Sequence, residues 1–219
     1  MTRPPGFDQW EERFAGAEFR FGREPNPFLL RCKPLLPLTG RALAVADGEG
    51  RNGVWLARQG LDVVSTDFSP TAQAKARALA AEHGVAITLV EADAHAWDYP
   101  EAAFDVVAEI FTQFSPPAGR ALKWAGMRRA LKPGGLLVVV GYTPKQLEYG
   151  TGGPKQIENL YTRAMLEEAF GGFADLSIIE EETELQEGAG HSGMSAVIGL
   201  TARKREEAGE SPADRQRKP

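Results

Sequence analysis

The sequence predicts an α/β fold, an open and mostly parallel sheet with helices on its faces, and three observations carry that expectation. Between Arg41 and Tyr142, apolar runs of strand length alternate with helical segments, the rhythm of parallel βαβ units with right-handed crossovers. The first three of these runs end in a carboxylate, at Asp47, Asp67 and Asp93. After Leu176, two strand-like runs succeed each other without an intervening helix, so they should pair as an antiparallel hairpin.

Residues 1–40 are expected to form an aromatic appendage: Trp10, Phe14 and Phe21 recur at helical spacing, and Pro25 and Pro27 then interrupt any helix. A short helix should span Pro27 to Leu38. Strands are expected at Ala42–Asp47, Val63–Phe68, Ile87–Ala92, Phe104–Phe111 and Leu136–Tyr142. The helix after Asp67 opens with a Ser69 N-cap and Pro70 at its first position. Pro116-Pro117 opens another, which ends before Lys132-Pro133-Gly134-Gly135. Pro144 to Pro154 reads as a loop, and Thr162 to Phe170 as a helix. The hairpin should run Leu176–Leu185 and Ser195–Arg203, around a Gly-rich loop from Gly188 to Gly193. Residues 205–219 are charged and lack apolar anchors, so a disordered tail is expected.

A length of 219 residues suits one domain with a substantial core. The net charge of −5 argues against a nucleic-acid partner. The single cysteine, Cys32, can form neither an intrachain disulfide nor a cysteine metal site, and no metal is expected. Neither a signal peptide nor a membrane span of ~20 apolar residues is visible, so a cytoplasmic location is the default expectation.

The chemistry concentrates in the turns after the strands, where open parallel sheets bind ligands. Gly48-Glu49-Gly50-Arg51-Asn52-Gly53 reads as G-x-G-x-x-G, and Asp67 lies 19 residues beyond Gly48. That pattern admits a dinucleotide. Asp47 and Glu49 flank it, however, and would repel a pyrophosphate seeking bare backbone N–H groups. S-adenosylmethionine carries a sulfonium and an ammonium group, so the carboxylates favour it over NAD(P). Asp93, between Ala92 and Ala94, offers an acceptor for an adenine amino group beside room for a flat ring.

The chain resembles class I methyltransferases, in particular the small bacterial group of tellurite-resistance and thiopurine S-methyltransferase-like proteins. The resemblance rests on Phe21-Gly22-Arg23-Glu24-Pro25-Asn26-Pro27-Phe28, Ala46 to Asn52, Val64 to Pro70, Leu131 to Gly135, and His191-Ser192-Gly193 with Ala202-Arg203-Lys204. It implies a Rossmann-like, doubly wound, seven-stranded sheet, mostly parallel with an antiparallel last strand. An N-terminal lid (1–40) would cover a cofactor-binding domain (41–204). It further implies that Asp47, Gly48, Glu49, Gly50 and Asn52 face the methionine half of S-adenosylmethionine. Asp67 would hold the ribose and Phe68 the adenine, with Asp93 and Ala94 flanking that ring. Ile110 would border the methyl group, and Arg23 in the lid would meet the cofactor carboxylate. Ala46-Asp47-Gly48-Glu49 departs from the Leu-Gly-Cys-Gly turn of many relatives. Glu109 to Phe114 lacks the Asn/Asp-Pro-Pro-Tyr/Phe sequence of enzymes that methylate nucleic-acid bases.

Methyl transfer asks mainly for alignment and exclusion of water. The leading expectation is a small soft acceptor (a thiol, selenium or tellurium species) that needs no general base, with S-adenosylhomocysteine as product. A small-molecule O- or N-methyltransferase is the near alternative, and an NAD(P)-dependent oxidoreductase or a regulator without catalysis the remoter ones. No catalytic residue is assigned. The acceptor would meet Phe111, Phe114, Tyr142 and His191, the last in the hairpin loop; Gln113, Tyr149, Tyr161 and Arg120 are further polar candidates.

Overall fold

The computed structural model describes residues 3–206. Seven strands form one sheet: β1 (Arg41–Val45), β2 (Asp62–Asp67), β3 (Thr88–Glu91), β4 (Phe104–Ile110), β5 (Leu131–Tyr142), β6 (Ala174–Glu187) and β7 (His191–Arg203). Their order is β3-β2-β1-β4-β5-β7-β6. The pairs within β1–β5 are parallel, and β7 is antiparallel to both β5 and β6. The helices are α1 (Phe7–Phe14), α2 (Pro27–Arg31), α3 (Arg51–Arg58), α4 (Pro70–Glu82), α5 (Pro117–Ala130), α6 (Gln146–Tyr149) and α7 (Arg163–Phe170).

The central strands bury both faces, which is why they read as continuous apolar runs. Leu43, Val107, Leu137 and Leu200 pack with Trp124 and Met127 of α5 and Phe170 of α7. On the opposite face Ala42, Val63, Val106 and Val138 pack with Leu29 of α2 and with Trp55 and Leu56 of α3. Each fully buried aliphatic side chain contributes about 1.5–3 kcal/mol. The sheet is thus a rigid plate whose carboxyl edge can hold a site. Among the described residues no helix is long and apolar enough to cross a membrane.

Several boundaries differ from those expected. The expected helix from Pro27 to Leu38 splits into α2 and a 3-10 turn at Lys33–Leu35, because Pro34 supplies no N–H to continue the ladder. Strand β5 starts at Leu131, since the Gly134 amide donates to the Lys204 carbonyl at 2.8 Å and holds the preceding turn in the sheet. The hairpin is longer than expected, and its turn shrinks to Gly188-Ala189-Gly190. The two-residue alternation carries past Leu185, with Leu185 and Glu187 buried and Glu184 and Gln186 exposed. His191 therefore opens β7 instead of sitting in a loop. A short helix, α6, lies in the expected 144–154 loop. Of the expected tail, Arg205 donates through Nε to the Gly172 carbonyl at 2.7 Å; positions 207–219 lie outside the described residues.

Candidate cofactor and acceptor site

A cavity of about 640 Å³ opens at the carboxyl ends of the parallel strands. It lies at the switch point where β1 and β4 are neighbours and their chains lead off to opposite sides. Its wall takes in Ala46–Glu49 after β1, Asp67 at the end of β2 with Phe68 beyond it, Ala92 and Ala94 after β3, Ile110 at the end of β4 with Phe111, Gln113 and Phe114 beyond it, and Tyr142 at the end of β5.

The first turn is built around Asp47. Its Oδ2 accepts the Gly53 amide at 3.0 Å and the Ser65 hydroxyl at 3.0 Å. Gly53 is in the first turn of α3, so the helix N-terminus is capped from within by a carboxylate. A Cβ on Gly53 would stand 2.5 Å from that oxygen, and only glycine lets the acid reach the amide. Asp47 Oδ1 has no hydrogen-bond partner among the described residues and is left toward the cavity, whose wall Asp47 forms. Burial pushes its carboxyl up to about 7, against the pull of Ser65, Gly53 and Arg51. Glu49 is otherwise engaged. It pairs with Lys75 of α4 at 2.8 Å and accepts the Phe21 amide at 3.3 Å, tying the lid to the cofactor-side helices. Gly50 packs on α4, where a Cβ would meet that of Ala76 at 2.5 Å. The Asn52 side chain accepts the Asn26 amide at 3.0 Å, again toward the lid, although Asn52 also borders the cavity.

Asp67 lies beside this turn. Its Oδ2 accepts the Gly48 amide at 2.9 Å and its Oδ1 the Ser69 amide at 2.9 Å. Burial raises its carboxyl to about 6, against those two bonds. Phe68, Ala94 and Ile110 border the cavity as expected. Asp93 does not: its Oδ1 accepts the His95 amide at 2.9 Å and stands 3.1 Å from His95 Nδ1, while His95 Nε2 lies 2.7 Å from the Ser115 hydroxyl. The largest correction concerns Arg23. It pairs with Glu82 at the end of α4 and stacks on Phe19, outside the cavity wall. Partner groups on a neighbouring helix capture it, a long-range event that its own segment does not announce. Arg20, three residues earlier, lines the cavity instead and has no side-chain hydrogen bond or ion pair among the described residues.

The acceptor side is aromatic. Phe111, Phe114, Tyr142 and His191 all line the cavity. The His191 ring sits between Phe21 and Phe111, with centroids at 4.5 and 4.6 Å. Its Nδ1 is 3.4 Å from Glu187 Oε2. Glu187 is a hub: it takes the Arg51 guanidinium at 2.6 Å and the Asn26 amide nitrogen at 2.8 Å. Burial moves the imidazole pKa down, only partly opposed by Glu187, so the ring is neutral at neutral pH. Two polar atoms here, Tyr142 Oη and Asn159 Oδ1, are buried without a partner among the described residues. An orphan of this kind costs about 1–3 kcal/mol. Gln113 spends its amide on the backbone of Tyr142 and Asn159. Tyr161 bonds Glu109, Tyr149 bonds Glu182, and Arg120 donates to the Glu158 carbonyl. None of these three belongs to the cavity wall.

Helix α1 covers the cavity through Gln9, Trp10, Arg13 and Phe14. Trp10 meets Phe114 edge-on at 5.9 Å, and Phe7 lies 5.9 Å from Phe68. Glu11 latches α1 to the start of α4 through Ser69 and Thr71. Burial alone would raise the Glu11 carboxyl, but those hydrogen bonds outweigh it and hold it below its usual value. The sequence marked the aromatics of this segment. It held no sign of Glu187, Arg51 or Asn159 as a group, because their neighbours are distant in the chain.

Strand order, reversed β7 and a glycine turn facing a carboxyl-edge cavity together define the class I methyltransferase fold. Residues 42–135 match the family described as a methyltransferase domain. Among curated proteins, the chain is 34% identical over 131 residues to a demethylmenaquinone methyltransferase of Thermus thermophilus, covering 59% of this chain and 57% of that one. The chain thus spans little more than half of that relative. Among solved structures, one reported for the conversion of a disulfide bond into a thioacetal group during echinomycin biosynthesis superposes with a TM-score of 0.74 at 18% identity, over 96% of each chain. The Haemonchus contortus phosphoethanolamine N-methyltransferase 2, in complex with S-adenosyl-L-methionine, has a TM-score of 0.66 at 18% identity, over 90% of this chain and 56% of that one.

Proposed function

We propose that the protein transfers a methyl group from S-adenosylmethionine to a small-molecule acceptor held under the α1 lid. One observation carries this reading. The N-terminus of α3, where a dinucleotide would seat its pyrophosphate, is already capped by Asp47, and the Gly48 amide is spent on Asp67. What faces the cavity is carboxylate oxygen, which suits a cation and repels phosphate. Asp47 would take the ammonium group, Asp67 the ribose hydroxyls and Phe68 the adenine face. Arg20 replaces Arg23 as the candidate for the cofactor carboxylate. The bound cofactor supplies a methyl carbon activated by its sulfonium. The chain aligns the acceptor, and α1 with its aromatic contacts excludes water.

For the acceptor, the resemblance favours a soft nucleophile, a thiol, selenium or tellurium species, which needs alignment alone. The neutral His191 ring favours the alternative, transfer to oxygen or nitrogen with removal of a proton. The similarity to a demethylmenaquinone methyltransferase is compatible with a flat acceptor among Phe111, Phe114 and Tyr142. Calorimetric titration with S-adenosylmethionine and, separately, NADH tests the cofactor. The methyl donor should bind and NADH should not. Asp67→Ala should weaken donor binding by roughly 10- to 150-fold, the loss of charged hydrogen bonds worth about 1.5–3 kcal/mol. Binding of NADH alone would overturn the reading.

A further inference from the structure

Three polar atoms at the acceptor end have no partner among the described residues: His191 Nε2, Tyr142 Oη and Asn159 Oδ1. All three side chains line the cavity. Tyr142 is 1% exposed and Asn159 7%, so water does not satisfy the latter two. A Cβ on Gly152 would stand 3.0 Å from Tyr142 Oη, so only glycine fits without pressing on the hydroxyl. Around these atoms the surface is aromatic, with the Phe21 and Phe111 rings centred 4.5 and 4.6 Å from the imidazole.

We propose that His191 is the general base of the transfer and that the acceptor presents to it the O–H of a hydroxylated aromatic ring, a proposal that rests on the methyltransferase reading above. The charged and titratable groups facing His191 are Glu187 of β6, Arg51 of α3, Arg20 of the lid segment and Tyr142 of β5. Glu187 fixes the ring through Nδ1, which leaves Nε2 as the nitrogen open to the cavity. A neutral imidazole takes the proton of a phenol, of pKa about 10, far more readily than that of an aliphatic alcohol. A thiol forms enough thiolate unaided and would leave this buried, oriented imidazole without a task. Asn159 Oδ1 can only accept a hydrogen bond, so the acceptor should carry a second donor, such as another hydroxyl.

The step balances without a further reactant. The acceptor proton passes to His191 Nε2 as the oxygen's electron pair forms the bond to the methyl carbon. The bond from that carbon to sulfur breaks, its pair stays on sulfur, and the neutral thioether leaves. The imidazolium, beside Glu187, then returns its proton to solvent. Glu187 is a positioning residue: it touches the base and not the acceptor.

The probe is 4-nitrocatechol, whose ionised and neutral forms differ in visible absorbance, titrated onto the full chain without cofactor. Bound to wild-type protein it should ionise at lower pH than in free solution. His191→Gln should abolish that shift and, with cofactor present, lower turnover of the probe by about 100-fold. Tyr142→Phe removes an unpaired hydroxyl from a buried ring, so the fold is spared; it should raise KM for the probe without lowering kcat. Glu187→Gln should move the acid limb of the kcat profile to lower pH, since the carboxylate now raises the imidazole pKa. An unshifted probe on wild-type protein, or a shift that survives His191→Gln, overturns the inference. Failure of S-adenosylmethionine to bind would sink the methyltransferase reading instead, because the absorbance titration contains no cofactor.

Discussion

Two buried polar clusters lie within one domain, and they are built to opposite rules. Behind the end of β4, Glu109 and Lys123 are both fully buried and 2.7 Å apart. Glu109 also accepts from Thr112, Tyr161 at 2.6 Å and Trp124 Nε1 at 2.8 Å. Lys123 spends its remaining donors on the Thr112 carbonyl at 2.8 Å and hydroxyl at 2.6 Å. Nothing in this cluster is left over. At the cavity, Asp47 keeps one oxygen free, His191 one nitrogen, and Tyr142 and Asn159 have orphaned atoms. A saturated network fixes a shape; an unsaturated one awaits a ligand. The saturated cluster holds Thr112, and through it the Gln113–Phe114 loop that walls the cavity.

The largest effect should come from breaking the saturated cluster. Lys123→Met leaves Glu109 charged in the core without its counter-ion, which costs about 3–5 kcal/mol. Urea denaturation should show it. Burial opposes the Glu109 charge, and Lys123 is what holds its carboxyl below the usual value. The variant should therefore regain stability as the medium is acidified and Glu109 takes a proton. A Glu109→Gln/Lys123→Met double variant should be more stable than Lys123→Met alone. A loss under about 1 kcal/mol would mean that the pair is not the shape-fixing element, and the contrast between the clusters would fail.

The middle effect comes from the unsaturated cluster. The Asp67 and Asp47 carboxyls are raised to about 6 and about 7. A raised carboxyl favours the folded chain fully below its unfolded value of about 3.9, and that contribution is lost as pH rises through 6 and then 7. Ionisation of these two acids thus strains the site, and an ammonium group at Asp47 with ribose hydroxyls donating to Asp67 would relieve the strain. S-adenosylmethionine binding should therefore tighten as pH rises across this window and release protons, by roughly tenfold for each pKa unit displaced. Calorimetry in two buffers of different ionisation enthalpy reads the proton release directly. A flat profile between about pH 5.5 and 7.5 would show that these carboxylates do not meet the cofactor.

The sequence was legible along the same division. The strand-end acids and the glycine turn could be placed because they are local: an apolar run must stop, and the residues just past its end face the carboxyl edge. Asp47, Asp67, Phe68, Ala94 and Ile110 reached the cavity for that reason. Phe111, Phe114 and Tyr142 did so as continuations of buried strands. His191 was visible as a polar group near the mouth, but its glycine neighbours suggested a loop, whereas pairing with Glu187 across the turn makes it a strand residue. The Arg51–Glu187 pair joins residues 136 apart, and no local pattern announces such a meeting. Arg23 misled because the partner that captures it, Glu82, lies 59 residues away.

The smallest effects sharpen the contrast at the lid. Arg23 and Glu82 form an exposed pair, side chains 44% and 60% accessible, and such pairs contribute little. Arg23→Ala should leave both thermal stability and S-adenosylmethionine affinity unchanged within error. Arg20→Ala removes an unpaired cation from the cavity wall. It should weaken the cofactor by several-fold, as expected for one charge-assisted hydrogen bond with partial solvent access, while binding of a decarboxylated cofactor analogue stays the same. The two arginines are three residues apart in sequence, so any general effect of charge on the lid would move both variants together. Divergence between them, confined to the ligand that carries a carboxylate, can come only from where the fold sends each side chain. If Arg23→Ala is the variant that weakens binding, the lid closes differently in the complex and the assignment reverts to Arg23.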